Sequence, residues 1–266
     1  MSNASMFYRE IPASPKILHL VLSFWEFLAK GKNHEQTIHE VFPDGCISLF
    51  YYGNENADVN LLFVNNLSLE TVKTRIFAND VYWGMRFSPA ACAKILRANP
   101  SEIQSQALIE SKIFSHITGG LLEKLIHCRN FEEAIKIYEA QIKSLQITCD
   151  ETDEKTAEVV KIIEENRGEI RVSKIAKAVH LSTRQLERRF KKSAGLSPKQ
   201  YARTRRIRAT AVNLVEAGEM NWASRAAEMG FADQAHLTHE FSTLTGRSPN
   251  SFAEKVKRIE HGELVK

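Results

Sequence analysis

The chain has 266 residues, 43% of them hydrophobic, and a formal net charge of +4 at neutral pH. That length suits two domains better than one core. The most apolar run, "ILHLVLSFW" at 17–25, is broken by His19 and Ser23 and falls well short of the roughly eighteen residues a membrane span needs, so nothing is expected to cross a bilayer.

Cys46, Cys92, Cys128 and Cys149 show no C-x-x-C spacing, which argues against a zinc cluster or a disulfide framework and for reduced, buried thiols. The opening "MSNAS" lacks the basic and apolar stretches of a secretory signal. It resembles the remnant of an expression tag and is left out of the fold reading, so a cytoplasmic protein is expected. The charge is divided: from Lys155 onward there are 22 Lys and Arg against 13 Asp and Glu, and before it 14 against 19. A basic C-terminal part joined to an acidic N-terminal part fits a nucleic-acid-binding domain attached to a different module.

Residues 6–87 read as strands. "ILHLVLSFWEFL", "TIHEVF", "CISLFYY", "NLLFVNN", "VKTRIFA" and "VYWGMRF" are short and rich in β-branched and aromatic residues, and turn signals separate them. A small sandwich or barrel is expected there. From Ser88 helical periodicity takes over, with a Ser-Pro start to "SPAACAKILRANP" and an Asn-Pro stop. In "FEEAIKIYEAQIKSL", Phe131, Ile135, Tyr138, Ile142 and Leu145 alternate at spacings of four and three, which serves a subunit contact or packing on the same domain equally well. The polar stretch 148–155 is the expected linker.

The helical remainder contains a repeat. Shifted by 51 residues, "IAKAVHLSTRQLERRFKKSAGLSP" falls on "AAEMGFADQAHLTHEFSTLTGRSP", so that Ala176 meets Ala227, Leu186 meets Leu237, Phe190 meets Phe241 and Gly195 meets Gly246. Ser182 meets Asp233, an N-cap residue type opening the second helix of each copy. Each copy reads as helix, turn, helix and glycine stop, a helix-turn-helix present twice. Between them "SPKQYARTRRIRATAVNLVEAG" predicts a helix of about twenty residues, roughly 30 Å long. That is close to the ~34 Å that separates successive major grooves on one side of B-DNA.

On the second helix of the first copy, Leu186 and Phe190 form an apolar stripe opposite Arg184, Glu187, Arg188 and Lys191. Arginine forks suit guanine O6 and N7, and a carboxylate can accept from cytosine N4, so Arg184, Glu187 and Arg188 are expected to read bases. Arg189, Lys191, Lys192, Arg203, Arg205 and Arg206, with Arg208, are expected to meet phosphates or steer approach. The second copy presents Gln234, Ala235, His236, Thr238, His239 and Ser242, none a permanent cation, so it should tune sequence choice more than supply charge.

These residues resemble the AraC/XylS transcription regulators. "LSTRQLERRFKKSAGLSPKQYARTRRI" and "AAEMGFADQAHLTHEFSTLTGRSP" look like that family's two-helix-turn-helix DNA-binding domain over roughly 155–257. The resemblance implies base reading by Arg184, Glu187 and Arg188, then by Gln234, His236, Thr238 and His239. His239 departs from the arginine of many relatives, and Glu240 follows it. "FPDGCISLFYY" and "YWGMRFSPAACAKIL" are similar to the sensing domain that precedes this module in part of the family. That implies a cupin-like barrel that binds a small-molecule effector and often dimerises, with Trp25, Tyr51 and Trp83 as pocket candidates or simply as core.

Two other readings stay open. A metal-dependent cupin-type enzyme would need ligands such as His19, His34, His39 and Glu40. "HEQTIHE" has one residue too many for H-E-x-x-H and no H-x-H pair occurs, so no metal or cofactor is assigned. No G-x-S-x-G, Walker or dinucleotide loop appears, and Cys46 reads as core beside a turn, so no catalytic residue is assigned. An architectural DNA binder would have little use for the acidic N-terminal half. The expectation is therefore an α+β chain, not an enzyme: a β-rich barrel or sandwich with a helical appendage at 6–147, a linker at 148–155, and an all-α double helix-turn-helix at 156–258. Its expected partners are promoter DNA and an unidentified effector, and a second copy if 131–145 serves a subunit contact.

Overall fold

The structure is a computed structural model, and it describes residues 5–32, 35–103, 107–108, 114–148, 151–216, 222–256 and 259–261. The N-terminal strands are β1 (Ser5–Pro12), β2 (Val21–Lys30), β3 (Gln36–Val41), β4 (Ser48–Asn54), β5 (Val59–Val64), β6 (Val72–Phe77), β7 (Asp80–Phe87) and β8 (Ala107–Leu108). With β9 (Ile259–His261) from the far end of the chain they make a seven-stranded sheet in the order β8-β5-β4-β7-β2-β1-β9, and β3 pairs with β6 in a separate two-stranded sheet. All pairs are antiparallel except β1 with β9, which covers the edge of β1.

Alternation along the strands divides the large sheet into two unlike faces. Phe24, Leu49, Tyr51, Leu62, Val64, Trp83 and Met85 belong to the main buried core of the N-terminal domain. Against them pack α1 (Cys92–Leu96), α2 (Ser115–Thr118), α3 (Leu121–Ile126) and α4 (Phe131–Ser144). Phe131, Tyr138 and Ile142 of α4 are fully buried in this core, with Ile135 and Leu145 packed against it. The seven-residue periodicity therefore serves packing on the same domain. The other face carries Tyr8, Ser23, Trp25, Phe27, Phe50, Tyr52, Tyr82 and Arg86, and Phe27 lies 4.6 Å from the His39 ring of β3.

Two boundaries differ from the sequence expectation. Residues 17–20 form a turn, with Leu20 and Val21 both donating to the Ile17 carbonyl, so the strand starts at Val21 and β1 is a separate element. The helix expected from Ser88 starts at Cys92, because the Ser88 amide is still bonded to the Leu20 carbonyl.

The C-terminal helices are α5 (Glu154–Glu165), α6 (Val172–Ala178), α7 (Thr183–Ala194), α8 (Pro198–Glu216), α9 (Trp222–Glu228), α10 (Gln234–Thr245) and α11 (Pro249–Val256). Asp153 caps α5 by accepting from the Thr156 amide, so helix begins inside the stretch expected to link the domains. The repeat is realised as two units, α6-α7 and α9-α10, with separate cores: Leu186 and Phe190 in the first, Leu237 and Phe241 in the second. Ser182 and Gln185 form a reciprocal capping box on α7, and Asp233 accepts from the His236 amide on α10. Gly195 ends α7 at φ 83°, and a Cβ there would come within 2.9 Å of Pro100, so the glycine serves both the helix stop and the contact with the N-terminal domain. Ser182→Ala is expected to lower stability by about 1 kcal/mol, checked by urea unfolding; no change would show that the box is dispensable.

The helical domain is seated on the N-terminal domain by buried polar contacts. Ser193 of α7 donates to the carbonyls of Pro89 and Ala90 at 2.9 and 3.0 Å. Glu10 of β1, 2% exposed, is shared by Arg86 of β7 and Arg208 of α8 and accepts from Ser23. Glu40 of β3 pairs with Arg247 and, at 2.9 Å, with Lys255 of α11. Burial alone would raise the Glu10 pKa, but Arg208 and Arg86 outweigh it and hold it at about 2. The Arg247 hydrogen bonds bring Glu40 to about 2 as well. Both folded values lie below the ordinary 4.5, so the stability they confer is fully present above about pH 4.5 and is lost as pH falls towards 2. Urea midpoints between pH 6 and pH 2 should decline in that window, and a midpoint that rises on acidification would refute the assignment.

Candidate nucleic-acid interface

Helix α7 exposes Arg184, Glu187, Arg188, Lys191 and Lys192 on the side away from Leu186 and Phe190. Among the described residues Arg184, Arg188, Lys191 and Lys192 have no acidic side chain within salt-bridge distance, so their charges face solvent. The opposite side of the helix holds Ser193 against the N-terminal domain, which fixes α7 from behind and leaves its polar face open.

Helix α10 carries its polar residues differently. Gln234, Ala235, Thr238, His239 and Ser242 line one shallow concave strip, following the four-residue spacings 234–238–242 and 235–239. His236 does not join it. Its Nδ1 accepts from the Ala232 amide at 3.2 Å and its ring stands edge-on to Phe231, which leaves the ring proton on Nε2. Of the four residues expected to read bases in this unit, three are brought together, and Ala235 and Ser242 extend their strip.

The expected phosphate contacts need correction. Arg189 is held by both oxygens of Asp153, at 2.6 and 2.8 Å. Arg205 is 6% exposed and pairs with Glu164 of α5 at 2.7 Å, where Tyr201 also donates. Arg203 pairs with Glu240 of α10 at 2.6 Å, and Arg206 lies 4.4 Å above the Phe231 ring with Glu240 at 3.7 Å. Arg208 reaches Glu10. The cause is position: α8 runs between the two units, so its arginines meet carboxylates of the elements packed on it. Glu240 is consequently turned towards α8 and set against Arg203 and Arg206.

The three aromatic pocket candidates are divided between the two faces of the large sheet. Tyr51 and Trp83 stack at 5.4 Å beneath the helices, where Trp83 donates to Glu26 and Tyr51 to Asn60. Trp25 lies on the other face, across Gly84 and 5.6 Å from Phe50, with Arg86 6.0 Å from its ring. They do not form one pocket. Tyr51 and Trp83 are core, and only Trp25 belongs to the half-buried aromatic face with Phe50, Tyr52, Phe63 and Tyr82.

His34 and Cys149 fall outside the described residues. His39 is half-buried against Phe27, and desolvation lowers its pKa to about 4. The Cys46 thiol is pushed up to about 12 by burial, which makes it a poor nucleophile near neutral pH. Among the described residues no three His, Cys, Asp or Glu side chains converge as metal ligands, and no helix is long and apolar enough to cross a membrane.

Residues 175–255 match a family described as a helix-turn-helix domain, and residues 9–108 match one described as a domain of unknown function. The chain is 30% identical over 125 residues to the Msm operon regulatory protein of Streptococcus mutans serotype c, a match covering 47% of this chain and 45% of that protein. It thus spans less than half the length of that curated relative. Among solved structures it is similar to a transcriptional regulator with an AraC-type DNA-binding domain from Chromobacterium violaceum (25% identity, 38% of this chain and 90% of that one, TM-score 0.35). ToxT from Vibrio cholerae is similar over 84% of this chain and 98% of its own, at 12% identity and a TM-score of 0.44. The C-terminal part of the chain, residues 175–255, is a helix-turn-helix domain. In this domain the open cationic face belongs to α7, and the uncrowded polar strip to α10.

Proposed function

We propose that the chain is a sequence-specific DNA-binding transcription regulator. Its AraC-type domain places α7 and α10 in successive major grooves, and its N-terminal domain answers to a small molecule. The observation that carries this reading is the pair Arg184 and Arg188, exposed on one face of α7 with no acidic partner among the described residues. The 19 residues of α8 rise about 28 Å at 1.5 Å per residue, close to the ~34 Å of one duplex turn. Arg184, Glu187 and Arg188 read bases in one half of the site, and Gln234, Thr238 and His239 in the other. Lys191 and Lys192 meet phosphates.

The effector reading rests on the aromatic face around Trp25, whose indole N–H is buried without a hydrogen-bond partner among the described residues. Such a face offers apolar contact and one unsatisfied donor to a small molecule. Effector binding acts by favouring one arrangement of the domains, or of two copies, over another. Gel shifts with the DNA upstream of the chain's own and adjacent genes, repeated with candidate metabolites, test the whole reading. A fragment retained at 150 mM salt, with its retention altered by a metabolite, is the expected result. No shift on any fragment at moderate salt would refute DNA reading, and steep, sequence-independent binding would favour an architectural role.

A further inference from the structure

The turn "FPDGC", together with Glu40 before it, lies in the N-terminal domain and yet reaches both units of the helical domain and α8 between them. Glu40 is 6% exposed and meets Arg247, just before α11, through two nitrogens, and Lys255, in the last turn of α11, at 2.9 Å. The Phe42 ring lies 4.7 Å from Phe252 and packs into the core of the second unit. Asp44 turns the chain by accepting from the Cys46 amide at 2.9 Å and ties it to Arg86. Gly45, at φ 75°, lies against Tyr201 of α8, where a Cβ would come within 3.0 Å of the ring. Cys46, 3% exposed, is part of the core of the first unit. Nearby, Thr71 donates to the Leu244 carbonyl at the end of α10.

The two units have separate cores joined by α8. A helix that reads bases needs its position and rotation fixed relative to its neighbour to within a fraction of a base pair. We infer that Glu40 and Phe42 are positioning residues for the second DNA-reading unit, and that the Glu40–Cys46 segment is a brace that sets this unit's orientation relative to the first. The inference rests on the proposed DNA reading by α7 and α10. It also gives the N-terminal domain a route to α10 that does not pass through the connection at 148–155, because β3 leads directly into the brace. Glu40 and Phe42 act on DNA through Arg247, Lys255 and Phe252, without touching it themselves.

The test uses the full chain. Wild type first selects its preferred sequence from a random duplex pool, and each half of that site is then scrambled in turn. The half read by the first unit is the one whose discrimination Arg184→Ala removes. In Glu40→Gln, discrimination by the other half should fall by about tenfold, a typical coupling between sites, while discrimination by the first half stays within about twofold. Glu40→Asp, which keeps the carboxylate, should recover part of the loss.

Arg247→Gln, on the α11 side, is the second variant should Glu40→Gln not fold, with the same result expected. Amide exchange supplies a readout independent of DNA: protection should drop in α10 and α11 and hold in α7. Equal discrimination by both halves in the variants, or an equal fall in both, would overturn the brace, as would unchanged protection of α10 and α11. Failure of wild type to select any sequence would instead overturn the DNA reading, and the exchange data would still judge the brace.

Discussion

Arg184→Ala and Arg188→Ala are each expected to cost about 1–3 kcal/mol of site-specific binding, measured by titration of the selected duplex at fixed salt. Both guanidiniums lie on the open face of α7 and have no acidic partner among the described residues, so neither must break an ion pair to reach a base edge. The helix that carries them is capped at Ser182 and anchored from behind by Ser193, so little ordering remains to be done on binding. Two comparisons sharpen the expectation. Arg189→Ala should have a smaller effect, because that side chain is engaged by Asp153. His239→Ala should also cost less than either arginine, because the strip on α10 holds no permanent cation. Equal losses across all four variants would erase the distinction between the open arginines and the other residues, and the assignment of α7 as the main reader would fall.

Glu10→Gln is expected to lower the stability of the chain by about 3–5 kcal/mol, the usual consequence of removing one member of a buried charge network. Glu10 is 2% exposed and serves two guanidiniums whose side chains are themselves 9% and 14% exposed. Glutamine keeps the shape and loses the charge, so Arg86 and Arg208 would remain in a poorly solvated site with less to compensate them. Asp44 still serves Arg86 in this variant, while the ion pair between β1 and α8 is lost. Adding Arg208→Met to Glu10→Gln should therefore recover part of the loss in urea unfolding. A change below about 1 kcal/mol for the single variant would place Glu10 among ordinary surface pairs and remove it from the seam between the domains.

Much of the helical domain was legible in one dimension because its rules are local. Ser182 and Asp233 as caps, Gly195 and Gly246 as stops, and Leu186, Phe190, Leu237 and Phe241 as inward residues follow from positions within one helix and its turn. The basic face of α7 followed from the same periodicity. The strands were legible as a set, and their errors fell at Ile17–Leu20 and at β1, where apolar residues in a turn and a mixed strand near the end of the sheet carry ambiguous patterns. The aromatic candidates failed for another reason. Tyr51, Trp83 and Trp25 are alike in composition, but strand register puts the first two under the helices and the third on the opposite face.

The sequence by itself determined that a helix-turn-helix occurs twice, where the second helix of each starts and ends, and that charge is concentrated on the first copy. Only the tertiary structure decided which cations remain available to a polyanion. Helical spacing states which face a residue occupies and is silent about what lies opposite. The carboxylates opposite these arginines come from far along the chain: Asp153 for Arg189, Glu164 for Arg205, Glu10 for Arg208 and Glu40 for Arg247. A charge is neutralised by what stands within a few ångströms of it, and in a folded chain that neighbour is set by packing. No such neighbour reaches Arg184 or Arg188 among the described residues, whereas packing sets a carboxylate beside every arginine of α8, Glu240 serving both Arg203 and Arg206.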